Sequence, residues 1–109
     1  MTREEITSSG LLSDVENFLD VTWHDEATDA KFVALIASGM DYLNRKAGVE
    51  LDYLADGDGR TLLIEYVRYG RDGALDVFEA NYLHLLLAMQ TDRRVQAYAP
   101  SQAPIPPGP

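Results

Sequence analysis

The side chains best suited to chemistry are two histidines, His24 and His84, and three acidic groupings: Asp14 with Glu16, Asp25 with Glu26, and the run Asp56-Gly57-Asp58-Gly59. A helical histidine site for zinc normally offers a second ligand one turn away. Neither histidine has a histidine at i+4, so such a site would have to recruit distant carboxylates. The expectation is a loop histidine at 24 and a helix-surface histidine at 84, with no metal and no cofactor. The Asp56 run begins like a calcium loop. Arg60, however, stands where the third oxygen ligand belongs, Thr61 where the turn glycine belongs, and Val67 where the closing glutamate belongs. It reads as a turn. The paired carboxylates fall where helices are expected to start, and the positive end of the helix dipole accounts for them. Cysteine is absent, which removes disulfides, thiolate-bound zinc, iron–sulfur clusters and a thiol nucleophile together. There is also no serine-nucleophile signature, phosphate-cradling glycine loop or dinucleotide fingerprint. The chain is expected not to be an enzyme.

The elements that hold these residues read as helices. All five prolines lie in the last ten of 109 residues, so nothing interrupts a helix before Pro100. Ser13-Asp14-Val15-Glu16 has the spacing of a capping box, and a short helix to about Asp20 follows with Val15, Phe18 and Leu19 on one face. Thr22 or Asp25 is placed to cap a long helix from Thr28 to about Ala47, in which Phe32 or Val33, Ile36, Met40, Leu43 and Ala47 recur at helical spacing. Gly48 is its stop. Leu51 to Arg60 is a loop, although Val49 to Tyr53 alternates like a short extended piece. A third helix is predicted from about Arg60 to Tyr69, broken by Gly70-Arg71-Asp72-Gly73, and a fourth from about Ala74 to Asp92. Arg93-Arg94 complements the dipole at the end of that fourth helix. The predicted architecture is all-α: a small bundle of about four helices over residues 1–94, then a flexible, proline-rich C-terminal tail over 95–109. The tail is either a disordered end or an arm that docks on a neighbour through Tyr98 and Ile105.

Composition narrows the function classes. Apolar residues make up 46% and charged ones 25%, which suits a globular domain rather than a disordered chain. Eighteen acidic side chains against nine basic ones leave a net charge of −9, which excludes a module that grips nucleic acid by its phosphates. The N-terminus has no basic region followed by an apolar run, and no stretch is long enough to cross a membrane, so a soluble protein made in the cytoplasm is expected. The fourth helix is apolar over more than one face, since Leu83, Leu86 and Leu87 widen the stripe formed by Leu75, Phe78, Tyr82, Leu85 and Met89. Trp23 and six tyrosines also exceed what so small a core needs. Trp23, Tyr66, Tyr69, Tyr82, Leu83, Leu87, Tyr98 and Ile105 are therefore the candidate interface residues.

Two stretches carry a family resemblance. Residues Ser13 to Val21, then Asp25-Glu26 with Asp29, then Leu35-Ile36-Ala37 through Tyr42-Leu43-Asn44 to Gly48, resemble the opening of the head–tail connector proteins of long-tailed bacteriophages. Leu62 to Tyr69, followed by Asp72-Gly73-Ala74-Leu75 and Phe78-Glu79-Ala80-Asn81-Tyr82, is similar to the branch found in phages and prophages of Gram-positive bacteria. The resemblance covers roughly residues 12–92 and rests on order and spacing, not on one motif. It implies a small helical head completion protein in the virion neck, with no catalytic residues, and a ring of about a dozen copies beneath the portal. Such a ring extends the channel through which double-stranded DNA passes without sequence-specific binding, and offers a platform to the tail or its stopper protein. The net negative charge is compatible with DNA that must slide rather than stick. The alternative drawn from charge alone is a small acidic regulator that mimics DNA toward a basic partner.

Overall fold

The computed structural model describes the backbone of residues 1–102 and the side chains of residues 1–91. Five helices follow one another: α1 (Arg3–Ser8), α2 (Leu11–Phe18), α3 (Glu26–Ala47), α4 (Asp58–Arg71) and α5 (Leu75–Gln102), and no strand forms among the described residues. The all-α expectation holds, with one helix more than the four predicted. The addition is α1, whose capping box is Thr2 and Glu5: the Glu5 amide donates to Thr2 Oγ1 at 3.2 Å and the Thr2 amide to Glu5 Oε1 at 3.0 Å. The similar pattern at Ser13 to Glu16 is not a cap. Helix α2 already starts at Leu11 because Leu11, Leu12 and Val15 form its buried face.

Helix α3 is the axis of the bundle. Asp25 caps it, its Oδ1 accepting the Thr28 amide at 2.6 Å, and Gly48 ends it in the left-handed region as expected. Helices α1 and α2 pack on the N-terminal side of the chain against α3, while α4 and α5 pack against α3 and each other. Between α3 and α4 the chain is a loop, not a strand. Its alternation reflects burial: Leu51 and Tyr53 point into the core and Asp52 and Leu54 face out. Asn44 on α3 pins that loop, since its Oδ1 accepts the Leu51 amide at 2.9 Å and the Tyr53 hydroxyl at 2.7 Å.

The centre of α3, α4 and α5 is aromatic. Phe78, almost fully buried, meets Tyr66, Tyr69, Tyr82 and Tyr42 with ring centroids 5.1 to 6.3 Å away, mostly edge-on or tilted. Tyr66 reaches this position because α3 has no side chain at Gly39. A Cβ there would meet Tyr66 Cδ1 at 2.8 Å and a Leu63 methyl at 2.9 Å. The Tyr66 hydroxyl pairs with Ser38 Oγ at 2.9 Å, so the ring enters the core with its polar end satisfied.

The fourth predicted helix, here α5, runs beyond its expected end at Asp92. Its backbone is helical to Gln102: Arg93 to Ala99 contains no proline or glycine to stop it, Pro100 falls in the last turn, and Arg93-Arg94 lie inside the helix and not at its end as expected. The segment expected to be extended from Val95 is thus helical over its first eight residues, and residues 103–109 lie outside the described part.

Candidate functional site

The candidate interface residues divide sharply in the structure. Tyr66 is buried, so it does not belong to a surface: the aromatic count that pointed to an interface is largely absorbed by the hub around Phe78. Tyr69 and Tyr82 are half-buried against that hub, 6.2 Å apart, and Asn81 Nδ2 donates to the Tyr69 hydroxyl at 3.2 Å. Leu83 and Leu87 are exposed at 44% and 50%; with Ala80 they form an apolar ridge on α5, turned away from the side that buries Phe78, Leu86 and Met89. Trp23 is 73% exposed in the α2–α3 connection, where its indole N–H donates to Asp25 Oδ2 at 2.8 Å. The side chains of Tyr98 and Ile105 lie outside the described residues. Phe18, expected on the apolar face with Val15 and Leu19, is instead 61% exposed while those two are buried; it borders a cleft of about 250 Å³ with Asp56, Gly57, Arg60, Ile64 and Arg68.

The second notable place is polar and was not foreseen. At the end of α2, the Asp20 amide donates to the Asn17 carbonyl at 3.2 Å and the Val21 amide to the Glu16 carbonyl at 2.9 Å, the paired bonds of a Schellman turn. Asp20 supplies the left-handed residue, with φ 56°. This turn folds the connection back so that His24 lies over the α2 face carrying Glu16, while the first turn of α3 brings Asp29 to the same point. His24 Nδ1 stands 3.6 Å from Glu16 Oε1 and 4.0 Å from Asp29 Oδ1. These three residues form the only such gathering of potential metal ligands among the described residues, with ligand atoms all within 4.8 Å of one another. The Asp56 run forms no comparable group, consistent with its reading as a turn and helix start.

The three side chains differ in exposure. Glu16 is only 3% exposed, Asp29 38% and His24 52%. Glu16 Oε2 and Asp29 Oδ1 are shielded from solvent and have no hydrogen-bond partner. Burial pushes the Glu16 carboxyl above its ordinary range, the neighbouring Asp29 carboxylate pushes it further, and His24 pulls it partly back. Asp25, by contrast, has both oxygens engaged by the Thr28 amide and the Trp23 indole, and these bonds, the Thr28 amide first, hold its carboxyl below the usual range. Asp25 is therefore a cap, not a member of the cluster. Asp29 also borders a groove of about 610 Å³ between α1 and α3, lined by Arg3, Thr7, Leu12, Ala30 and Val33.

One signal for this cluster was present in the sequence. Glu16 follows Leu12 by four residues and Val15 by one, which puts a carboxylate on the buried face of α2. Set against models of known protein families, curated proteins and solved structures, the chain has no match in any of the three.

Proposed function

We propose that this chain is a structural subunit of a bacteriophage neck, a head–tail connector that closes into a ring on the portal and receives the tail or its stopper. The apolar ridge of Ala80, Leu83 and Leu87 carries the reading. Leu83 and Leu87 stand half-exposed one turn apart on a helix whose other side buries Phe78, Leu86 and Met89, and a small bundle has no internal use for them. A ring requires two different surfaces on each subunit, one to meet the preceding copy and one to meet the next. The α5 ridge and the Phe18 cleft, built from different elements, meet that requirement. The order of the two connector-like stretches supports the same reading, and the net charge of −9 suits a channel wall that lets DNA pass. The acidic regulator has less support, because seven of the eighteen acidic residues, Glu4, Glu5, Asp14, Glu26, Asp29, Asp58 and Asp76, lie in the first turns of the five helices. There they answer helix dipoles and do not form a phosphate-like track.

Electron microscopy of the cognate portal mixed with purified protein tests the proposal. The expected result is a ring of extra density on one face of the portal, lost in a Leu83→Glu, Leu87→Glu double variant whose circular dichroism is unchanged. A portal that stays bare with the parent protein, or is decorated equally by the double variant, overturns it.

A further inference from the structure

We propose that Glu16, His24 and Asp29 bind a divalent transition-metal ion of the zinc class at the corner between α2 and α3. The first observation is the donor set: an imidazole nitrogen and two carboxylates converge from a helix end, a connection and a helix start. Three protein ligands of these types, with a fourth place left to water, form a recurrent zinc arrangement. The second observation is independent of the clustering. Glu16 is nine-tenths buried and more, its Oε1 faces His24 Nδ1 in the corner at 3.6 Å, and its Oε2 is shielded from solvent with no hydrogen bond. A buried carboxylate oxygen without a partner is costly, and a cation is one of the few groups that can meet two such oxygens at once.

Geometry and charge agree with this. Ligands about 2.1 Å from a tetrahedral ion lie about 3.4 Å from one another. The separations of 3.6 Å and 4.0 Å from His24 Nδ1 exceed that by about 0.2 and 0.6 Å, and all three ligand atoms lie within 4.8 Å of one another, so the site must contract to bind an ion. His24, half-exposed and on a connection, is free to supply the adjustment. Two carboxylates and a neutral imidazole carry a charge of −2, which a divalent ion cancels. The imidazole favours zinc, cobalt or nickel over magnesium and calcium, which prefer all-oxygen sites. His24 is half-exposed, so the corner is open to solvent on the imidazole side.

The test uses full-length, untagged protein freed of metal with a chelator and titrated with zinc chloride by calorimetry, with Trp23 fluorescence as a second readout. Trp23 is the only tryptophan and adjoins His24, so its emission reports on this corner. The expected result is one zinc ion per chain, a change in Trp23 emission that saturates at the same ratio, and a rise in thermal midpoint. His24→Ala and Asp29→Asn, both at partly exposed positions, are expected to remove saturable binding, while His84→Ala retains it and magnesium chloride produces no saturable signal. Absence of saturable zinc binding by the parent protein overturns the proposal, as does binding that survives His24→Ala. An equal response to magnesium overturns the choice of metal class. None of these outcomes depends on portal binding, so failure here leaves the connector reading intact, and the reverse.

Discussion

The chain turns twice by the same device, after α2 and after α4, and the two turns differ in what they contain. After α4 the Gly73 amide donates to the Gly70 carbonyl and the Ala74 amide to the Tyr69 carbonyl at 2.8 Å, repeating the paired bonds found at Asp20 and Val21. Here the left-handed residue is a glycine, φ 70°, which takes that conformation without a side-chain penalty; at the first turn it is Asp20. The second turn closes the aromatic hub, in which the rings pack mostly edge-on or tilted and the Tyr66 hydroxyl is paired, while the Tyr42 hydroxyl is buried without a partner. The first closes over a buried carboxylate with an unmet oxygen. Both places leave a buried oxygen unmet, but in the hub it is a neutral hydroxyl among packed rings, whereas at the first corner it belongs to an ionisable carboxyl beside a left-handed aspartate. Corners of the second kind are where function commonly resides, because stability alone would not keep them.

Removing the centre of the stable corner should have the largest effect. Phe78→Ala is expected to lower stability by about 3–5 kcal/mol in denaturant titration, since it empties the space on which four tyrosines converge. Gly73→Ala should cost about 1–2 kcal/mol by the same measurement, because alanine must enter the left-handed region there. At the other corner the signs reverse. Glu16→Gln is expected to raise the stability of the metal-free protein by about 1 kcal/mol, since an amide both removes the buried charge and offers Asp29 a donor. Its pH dependence sharpens the point. A carboxyl whose folded pKa lies above its ordinary value of 4.5 favours the fold most below that value. That contribution fades as pH rises through the elevated folded value, so the parent should lose stability over this window relative to Glu16→Gln. The smallest effect is expected from Asp20→Gly, a gain of about 0.5 kcal/mol from relief of the left-handed aspartate, partly offset by a more flexible unfolded chain. A loss of stability in either variant at the first corner would erase the contrast.

Much of the bundle was legible in the sequence wherever capping and periodicity agreed. Helix α3 has an aspartate cap, a five-residue apolar stripe and a glycine stop, and all three signals mark one element. Helix α1, with six residues and only Ile6 buried, offers no stripe to read. The capping pattern at Ser13 misled because Leu11 and Leu12 gain more by burial inside a helix than Ser13 gains as its cap. Tyr66 shares the apolar face of its helix with Leu62, Leu63 and Val67, a local sign of burial that competes with its reading as an interface residue, while nothing local shows that Gly39, 27 positions earlier, leaves room for its ring. The Glu16, His24 and Asp29 cluster was hidden for a related reason. Its spacings of eight and five follow no helical rule and depend on the turn at Asp20, where the sequence shows an aspartate and not the glycine that usually announces such a turn. The exposed Leu83 and Leu87 were legible because α5 carries more leucines than one contact face can hold.

The aromatic hub is assembled from three helices that follow one another directly in the chain, joined by the loop after Gly48 and the tight turn at Gly73. Elements that meet their sequence neighbours close with little loss of chain entropy, so this part of the molecule is expected to form early in folding, with α1 and α2 docking onto α3 afterwards. A tie at the late corner, absent from the folding transition state, lengthens the lifetime of the folded subunit without hastening its formation. For the neck subunit proposed above, slow opening would matter more than fast assembly of the chain.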